Sequence, residues 1–406
     1  MTKRIQLYSD CDFFAGCENM ISVLVNNRDK FPDTDIQFFY RHSELYAEGL
    51  HARLNSGVHA HPLKLLNISG FFLGKNDPLR KSARRLMHIV RFLMLPVIAL
   101  QNTLSLYRHF KNNTPDILFL NNGGYPGALS TRIAAVVAKA VGVKTVYMMV
   151  NNTAIPYDSL FRRAGYSFYQ RVKNSINLFI TGSEKAGLAL EDVLGIKREQ
   201  RQVFYNCIES KRFENLLNQK NENTKLVFSN IALLEKRKGH IVLLQAIVEL
   251  IHRRPDLRTS FHVNIDGEGR EREALNKFVE LHSLNDVVTF LGSTSNIGLV
   301  YQNCDVFILP SISNEDLPNV ISEALLFAKP VIASKLAGIP HQVFDGENGY
   351  LVEPGSAEQL SVAMERCIDN FQNLEQMGAK SREIFDKYFS VHAALANYIK
   401  IFDKGV

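Results

Sequence analysis

The stretch "LPSISNEDLPNVISEALLFAKPVIAS", residues 309–334, carries two carboxylates, Glu315 and Glu323, with seven residues between them. An apolar run ends at Leu309-Pro310-Ser311, a polar loop follows, and Pro318 predicts the start of a helix that stops before Pro330. Proline suits a first helical turn because the N–H it lacks would have no partner there. The amides of Asn319, Val320 and Ile321 would then face an anion at the positive end of the helix. Carboxylates beside an anion site are unexpected if the site takes phosphate alone. They make sense if each accepts hydroxyls on either side of the phosphates, since two hydrogen bonds from a vicinal diol to one carboxylate make a selective sugar contact. A solvated loop glutamate and a helix-surface glutamate would show the same spacing, so the pair needs further support.

Other strand-to-loop corners supply it. "ALLEKRKGH", 232–240, sets Arg237-Lys238-Gly239 between an apolar run and a helical pattern, where α/β proteins seat phosphates. "NIDGEGREREAL", 264–275, has Gly267 and Gly269 but no third glycine in register, and it is not the first strand–helix turn of its half, which argues against a dinucleotide fingerprint. "FLGSTSN", 290–296, adds a loop at the same sheet edge. Near the start, "DCDFFAGCENM", 10–20, combines Asp10-x-Asp12, a possible divalent-metal pair, with a tight turn at Gly16 opening a helix at Cys17-Glu18. With a lysine and a helix end available for the anion, Asp10 and Asp12 would repel a diphosphate unless a cation intervened. They read as a strand-end coincidence or an acceptor-side polar contact, and Gly16 as the part that meets the ligand.

The elements that must position these residues alternate along the chain. Strands are expected at 4–9, 35–40, 116–120, 144–150 and 178–183, then at 226–233, 261–267, 287–292, 305–311 and 330–334, with helical patterns between them. A helix over 132–142 ends at a glycine. This is an α/β pattern of doubly wound, Rossmann-like sheets. The polar stretch "SKRFENLLNQKNENTK" after residue 209 is the best linker candidate. The expected domains are 1–207 and 208–385, with a helix at about 386–406 crossing back to the first, and the ligand in a cleft between them.

Composition fits this picture. The 406 residues exceed one ordinary core, and 46% hydrophobic with 22% charged residues describes a soluble globular protein. Five scattered cysteines suggest a reducing compartment, and neither Cys nor His spacing suggests a metal site. The N-terminus lacks an export signal, so a cytoplasmic location is expected. The formal net charge of +6 is concentrated in residues 79–111, "LRKSARRLMHIVRFLMLPVIALQNTLSLYRHFK", whose apolar run is too short to span a bilayer. As a helical pair it would show a basic flank beside an apolar face, suited to an anionic membrane surface. An ordinary core helix with solvated arginines is the plainer alternative.

"NEDLPNVISEALLFAKPVIAS", the later "LAGIPHQVFDGENGYLVEP", and "KRKGH" and "FLG" before them resemble the donor half of a family GT4 glycosyltransferase of GT-B fold, over about 224–384. The first half resembles the family through the turn at Gly16 and its strand–helix alternation. "NNGGYPGALS" (121–130) and "NNTAIPYDSLFRRAGYSFYQRV" (151–172) look like bacterial surface-polysaccharide and lipopolysaccharide transferases. The resemblance implies that Lys238 and Arg237 contact the donor diphosphate with Gly16, Asn319 and Val320, and that Glu315 faces the donor sugar, making Glu315 and Lys238 the catalytic pair. It implies that Glu323 holds the ribose and that Ser293 and Thr294 carry the base. Departures from the family pattern are Ala232, where many relatives have an arginine, Asp316, where they often have glycine, and Asn151-Asn152, where they often have a histidine. A neutral amide cannot act as a general base, so Asn151, Asn152 and Asp12 are assigned to hydrogen bonding on the acceptor side.

The implied reaction is retaining transfer of a sugar from a nucleotide sugar, a UDP-sugar first and a GDP-sugar second, to a glycan or lipid-linked glycan in surface polysaccharide or capsule synthesis. No cofactor, metal or nucleic acid is expected, and the location is cytoplasmic or peripheral on the inner face of the membrane. The competing readings are a nucleotide-sugar epimerase of the same fold and a non-catalytic sugar- or lipid-binding subunit of an assembly complex.

Overall fold

The computed structural model describes residues 2–12, 14, 18–67, 84–150, 152–157, 165–217 and 225–404. The chain divides into two units, Met1–Phe204 with Leu395–Val406, and Tyr205–Ala394. The first runs β1 Lys3–Ser9, α1 Asn19–Asn26, β2 Thr34–Arg41, α2 Glu44–His51, β3 Ala60–Leu63, α3 Arg84–Asn112, β4 Ile117–Asn122, α4 Leu129–Ala140, β5 Thr145–Val150, α5 Tyr166–Ser175, β6 Leu178–Thr181, α6 Glu184–Leu194 and β7 Arg201–Val203. The second runs β8 Leu226–Ile231, α7 His240–Arg253, β9 Phe261–Asp266, α8 Arg272–Leu281, β10 Val288–Gly292, α9 Ile297–Gln302, β11 Val306–Leu309, α10 Asn319–Leu326, β12 Val331–Ser334, β13 Gly349–Val352, α11 Ala357–Asp369 and α12 Leu374–Ile384. Helix α13, Val391–Lys404, ends the described chain.

Among the described residues the first unit holds a seven-stranded sheet, order β3-β2-β1-β4-β5-β6-β7, and the second a six-stranded sheet, order β10-β9-β8-β11-β12-β13. Both are parallel, and central strands such as β5 and β11 are buried along their whole length and read as nearly continuous apolar runs, whereas β1 and β8 also bury Gln6, Ser229 and Asn230. In each sheet the order reverses direction once, between β1 and β4 in the first and between β8 and β11 in the second. At such a reversal the loops leaving adjacent strands diverge to opposite faces and open a crevice at the strands' carboxyl ends. The second unit therefore brings the loop after β8, with Lys238, beside the loop after β11, with Glu315.

Each expected strand is present, and the sequence reading lacked three more. β3, "AHPL", and β13, "GYLV", are four-residue edge strands, and β7 has three residues. So few positions give no periodicity, and Pro62 is tolerated because an edge strand need not use every N–H. Arg201 in β7 is completely buried, with its guanidinium hydrogen bonded to Glu184 and Glu191 of α6.

The described part of the polar stretch, residues 210–217, lies inside the second unit, where Phe213 is buried against Phe327. Phe385 and Phe389 belong to that unit's core as well. From Leu395 onward the chain returns to the first unit, where Tyr398 and Phe402 pack on Phe119 and the Tyr147 hydroxyl donates to the Ile401 carbonyl at 3.1 Å. The basic apolar segment, read as a helical pair, is one 29-residue helix from Arg84 that continues through Pro96. Pro96 is exposed, so water can take the carbonyl that the missing N–H leaves free.

A candidate anion and diol site at the carboxyl ends of β8 and β11

Beyond β8 the chain makes a short helical turn, Lys236–Lys238, and reverses at Gly239 into α7. Gly239 has φ +72°, and a Cβ there would lie 1.9 Å from the Pro310 carbonyl oxygen, so only glycine fits both the left-handed backbone and the close approach. That approach lets Ile312 N donate to the Arg237 carbonyl at 2.7 Å, joining this turn to the loop after β11. Side chains follow the backbone. The Lys238 ammonium pairs with Glu315 Oε1, Ser311 Oγ donates to the same oxygen at 2.7 Å, and Arg237 Nη1 lies 3.9 Å from it. Arg237 Nε also donates to Glu235 at 2.7 Å. Lys238 and Glu315 are largely buried, with 13% and 7% of their side chains exposed.

Pro318 occupies the position just before α10 rather than its first residue, and Ile321 N donates to the Pro318 carbonyl at 3.1 Å. Ile321, expected among the anion-facing amides, is thus used within the turn. Asn319 and Val320 keep N–H groups without an intrahelical partner at the positive end. Glu323 is not the solvated helix-surface residue that its spacing alone would allow. It is 7% exposed, and the Tyr301 hydroxyl donates to its Oε2 at 2.9 Å. Burial raises the Glu323 carboxyl above its ordinary value, opposed by the Tyr301 hydrogen bond and by Arg212. Ser293 and Thr294 follow β10, and Thr294 N donates to the buried Asp266 at 3.1 Å. Gly267 has a structural use: with φ +146°, its Cβ would lie 1.9 Å from the Ala232 carbonyl oxygen.

Lys238, Arg237, Glu315, Asn319, Val320 and Glu323 therefore sit on the two loops and one helix that leave β8 and β11, with Ser293 and Thr294 beyond the neighbouring strands. Ser311, Asp266, Tyr301 and His240 were missed by sequence reasoning. Asp266 ends β9 and Ser311 follows β11 by two residues, a detectable signal, whereas Tyr301, in α9, meets Glu323, in α10, only in the folded chain.

His240 opens α7, is 2% exposed, and has neither ring nitrogen hydrogen bonded. Burial, and then the Lys238 charge, push its imidazole down to about 4, so it is neutral near pH 7. Because the folded value lies below the ordinary one, the unfolded chain binds the extra proton between pH 6.5 and 4. Stability is retained above that window and falls on acidification through it. Urea unfolding of wild type should lose about 2–3 kcal/mol more between pH 7 and pH 4.5 than His240→Leu does. Parallel pH profiles of the two proteins would remove His240 as the cause.

In the first unit, Asp10 and Asp12 are both engaged by Arg41, the last residue of β2, through Nε and Nη2 respectively. Ser130 Oγ also donates to Asp10, and Asn67 Nδ2 donates to Asp12 at 2.9 Å. The cation beside this acidic pair is therefore the chain's own guanidinium. Among the described residues no group of three or more His, Cys, Asp or Glu side chains has a metal-binding arrangement. Asn152 is exposed and donates to the Gly123 carbonyl. Gly16 and Asn151 lie outside the described residues.

Residues 212–384 match the family model "Glycosyl transferases group 1". Among curated proteins, an uncharacterized glycosyltransferase of Haemophilus influenzae is 29% identical over 44% of this chain and 53% of its own length. The lipopolysaccharide core biosynthesis glycosyltransferase LpsD of Rhizobium meliloti is 30% identical over 42% of this chain and 47% of its own. The similarity thus spans about half the length of these relatives. Among solved structures, a glycosyltransferase from Rickettsia africae superposes with a TM-score of 0.74 at 16% identity, covering 100% of both chains. Anabaena Alr3699/HepE in complex with UDP gives 0.70 at 16% identity over 98% of this chain and 99% of that one. The chain has the GT-B fold of two Rossmann-like units, and within the second unit residues 212–384 match the glycosyl transferases group 1 model.

Proposed function

We propose that this protein transfers a sugar from a nucleoside diphosphate sugar to a hydroxyl of a glycan or lipid-linked glycan, in the synthesis of a surface polysaccharide such as lipopolysaccharide. The observation that carries this reading is the pairing of Lys238 with Glu315 in the loop that leads into α10, with the buried Glu323 within that helix. A diphosphate fits the cations and free amides, and diols fit the carboxylates on either side.

UDP-sugars are the first donors to test, because the similar fold of HepE has been solved with UDP and with UDP-glucose. GDP-sugars come second. In the proposed reaction the anomeric carbon separates from a nucleoside diphosphate whose negative charge grows in the transition state. In this reading Lys238, Arg237 and the dipole of α10 would stabilise that charge, with no metal required. Glu315 would accept hydrogen bonds from the donor sugar while keeping Lys238 in place, and Glu323 would hold the ribose diol. Retention of anomeric configuration, and work at the cytoplasmic face of the membrane, complete the proposal.

A screen for nucleoside diphosphate release across UDP-, GDP- and dTDP-sugars, with several glycan acceptors and with EDTA present, tests it. Acceptor-dependent release is expected. A free epimerised nucleotide sugar formed without acceptor would establish the epimerase instead, and no turnover of any donor would leave a binding subunit. Rescue by Mn²⁺ after loss of activity in EDTA would overturn the metal-free part.

Tyr301 is assigned to positioning. Tyr301→Phe should raise the donor KM about tenfold with little change in kcat, since it removes one hydrogen bond to a carboxylate. An equal effect on kcat with KM unchanged would place its role elsewhere.

A further inference from the structure

Helix α3 has two apolar sides. Ile98, Leu106 and Phe110 are buried, and the helix packs on α4 in the first unit's core. On the opposite side Val90, Leu93, Val97, Leu100, Leu104 and Tyr107 are each between 41% and 65% exposed. Their spacing alternates three and four residues, so they form one stripe about 25 Å long. A continuous exposed apolar stripe of this kind marks an interaction surface rather than scattered surface leucines.

Charge selects the occupant. From Arg84 to Asn112 the sequence contains Arg84, Arg85, Arg91, Arg108 and Lys111 and no acidic residue. Arg108 and Lys111 are exposed at the end of the stripe, and Lys111 Nζ lies 5.6 Å over the Tyr107 ring. The spacing also suits a helix–helix seam with a second copy of the chain. Such a pair, parallel or antiparallel, would bring cationic ends together with no carboxylate on either helix to offset them. An anionic bilayer takes both features at once, the apolar side chains entering below the headgroups and the cations meeting lipid phosphates. No helix among the described residues is long and apolar enough to cross a membrane, so the contact would be made by lying on the surface.

We infer that the exposed side of α3 is a docking surface for an anionic lipid bilayer. This assignment does not depend on the donor-site reading, because it is measured without nucleotide or acceptor. The test is co-sedimentation of the full chain with vesicles of phosphatidylcholine alone and of phosphatidylcholine mixed with phosphatidylglycerol. Wild type should bind the mixed vesicles strongly and the neutral ones weakly. Arg108→Glu/Lys111→Glu should lower binding to mixed vesicles at least about thirtyfold, from roughly one kcal/mol per cation. Leu93→Gln/Leu100→Gln should lower it about a hundredfold through lost apolar burial. These four side chains are exposed, so unchanged thermal melting should accompany both losses. Arg108→Lys/Lys111→Arg, which keeps the charges, should bind as wild type does. Failure of wild type to bind either vesicle, or equal binding to both, overturns the inference. So does a concentration-dependent dimer that Leu93→Gln/Leu100→Gln converts to monomer while vesicle binding is absent, an outcome that would assign the stripe to a second copy.

Discussion

Lys238→Ala should weaken binding of the donor's nucleoside diphosphate by about 1.5–3 kcal/mol, the range for a charge-assisted hydrogen bond, measured by calorimetry with UDP or with the diphosphate selected by the donor screen. The same substitution has a second consequence. Glu315 has 7% of its side chain exposed, and without Lys238 it retains Ser311 at 2.7 Å and Arg237 at 3.9 Å. A carboxylate left that buried with a weakened counter-charge should cost about 2 kcal/mol of folding stability as well. The two effects are separable. Lys238→Met combined with Glu315→Gln removes both charges and should recover most of the lost melting temperature, yet leave diphosphate affinity low. Lys238→Ala with unchanged affinity would remove the lysine from the site whatever the melting curve shows. Recovery of affinity in the double variant would mean that the ammonium serves only to neutralise Glu315.

Gly239→Val should be the most damaging single change near the site. The position holds φ +72°, and its Cβ would stand 1.9 Å from the Pro310 carbonyl oxygen. Left-handed backbone costs a side-chain-bearing residue about 1–2 kcal/mol and overpacking a further 1–3, for a total of about 2–5 kcal/mol in urea unfolding. Relief of the clash requires the loop after β11 to move away, which breaks the 2.7 Å bond from Ile312 N to the Arg237 carbonyl and separates Lys238 from Glu315. Diphosphate binding should therefore fall together with stability. Gly239→Asn tolerates the left-handed backbone better but carries the same Cβ, so it should recover only the conformational share. Wild-type stability in Gly239→Val would refute the close approach on which the site's geometry rests.

How much of this was legible beforehand depends on the range of each interaction. Strands and helices of the central sheets are encoded by periodicity over a few residues, and β1, β4, β8 and β11 follow from short runs in which apolar residues predominate. The short strands β3, β7 and β13 were not, because their pairing comes from the sheet edge they join rather than from their own sequence. Glu315, Glu323 and Lys238 could be named from residue type and neighbouring turns. That Lys238 touches Glu315, 77 positions away, required the strand order.

Sequence by itself determined that two α/β units are present, that a glycine turn follows a basic pair at 237–238, and that a proline precedes the helix between the two glutamates. These are consequences of local backbone preference and charge, which each short segment carries with it. Tertiary structure alone decided that β8 lies beside β11, that Glu323 is buried under Tyr301, that Arg41 engages the Asp10 and Asp12 pair, and that one side of α3 remains uncovered. Each depends on which residues distant in sequence come to share a surface. That choice is set by burying whole sheet faces at once, so no single segment encodes it.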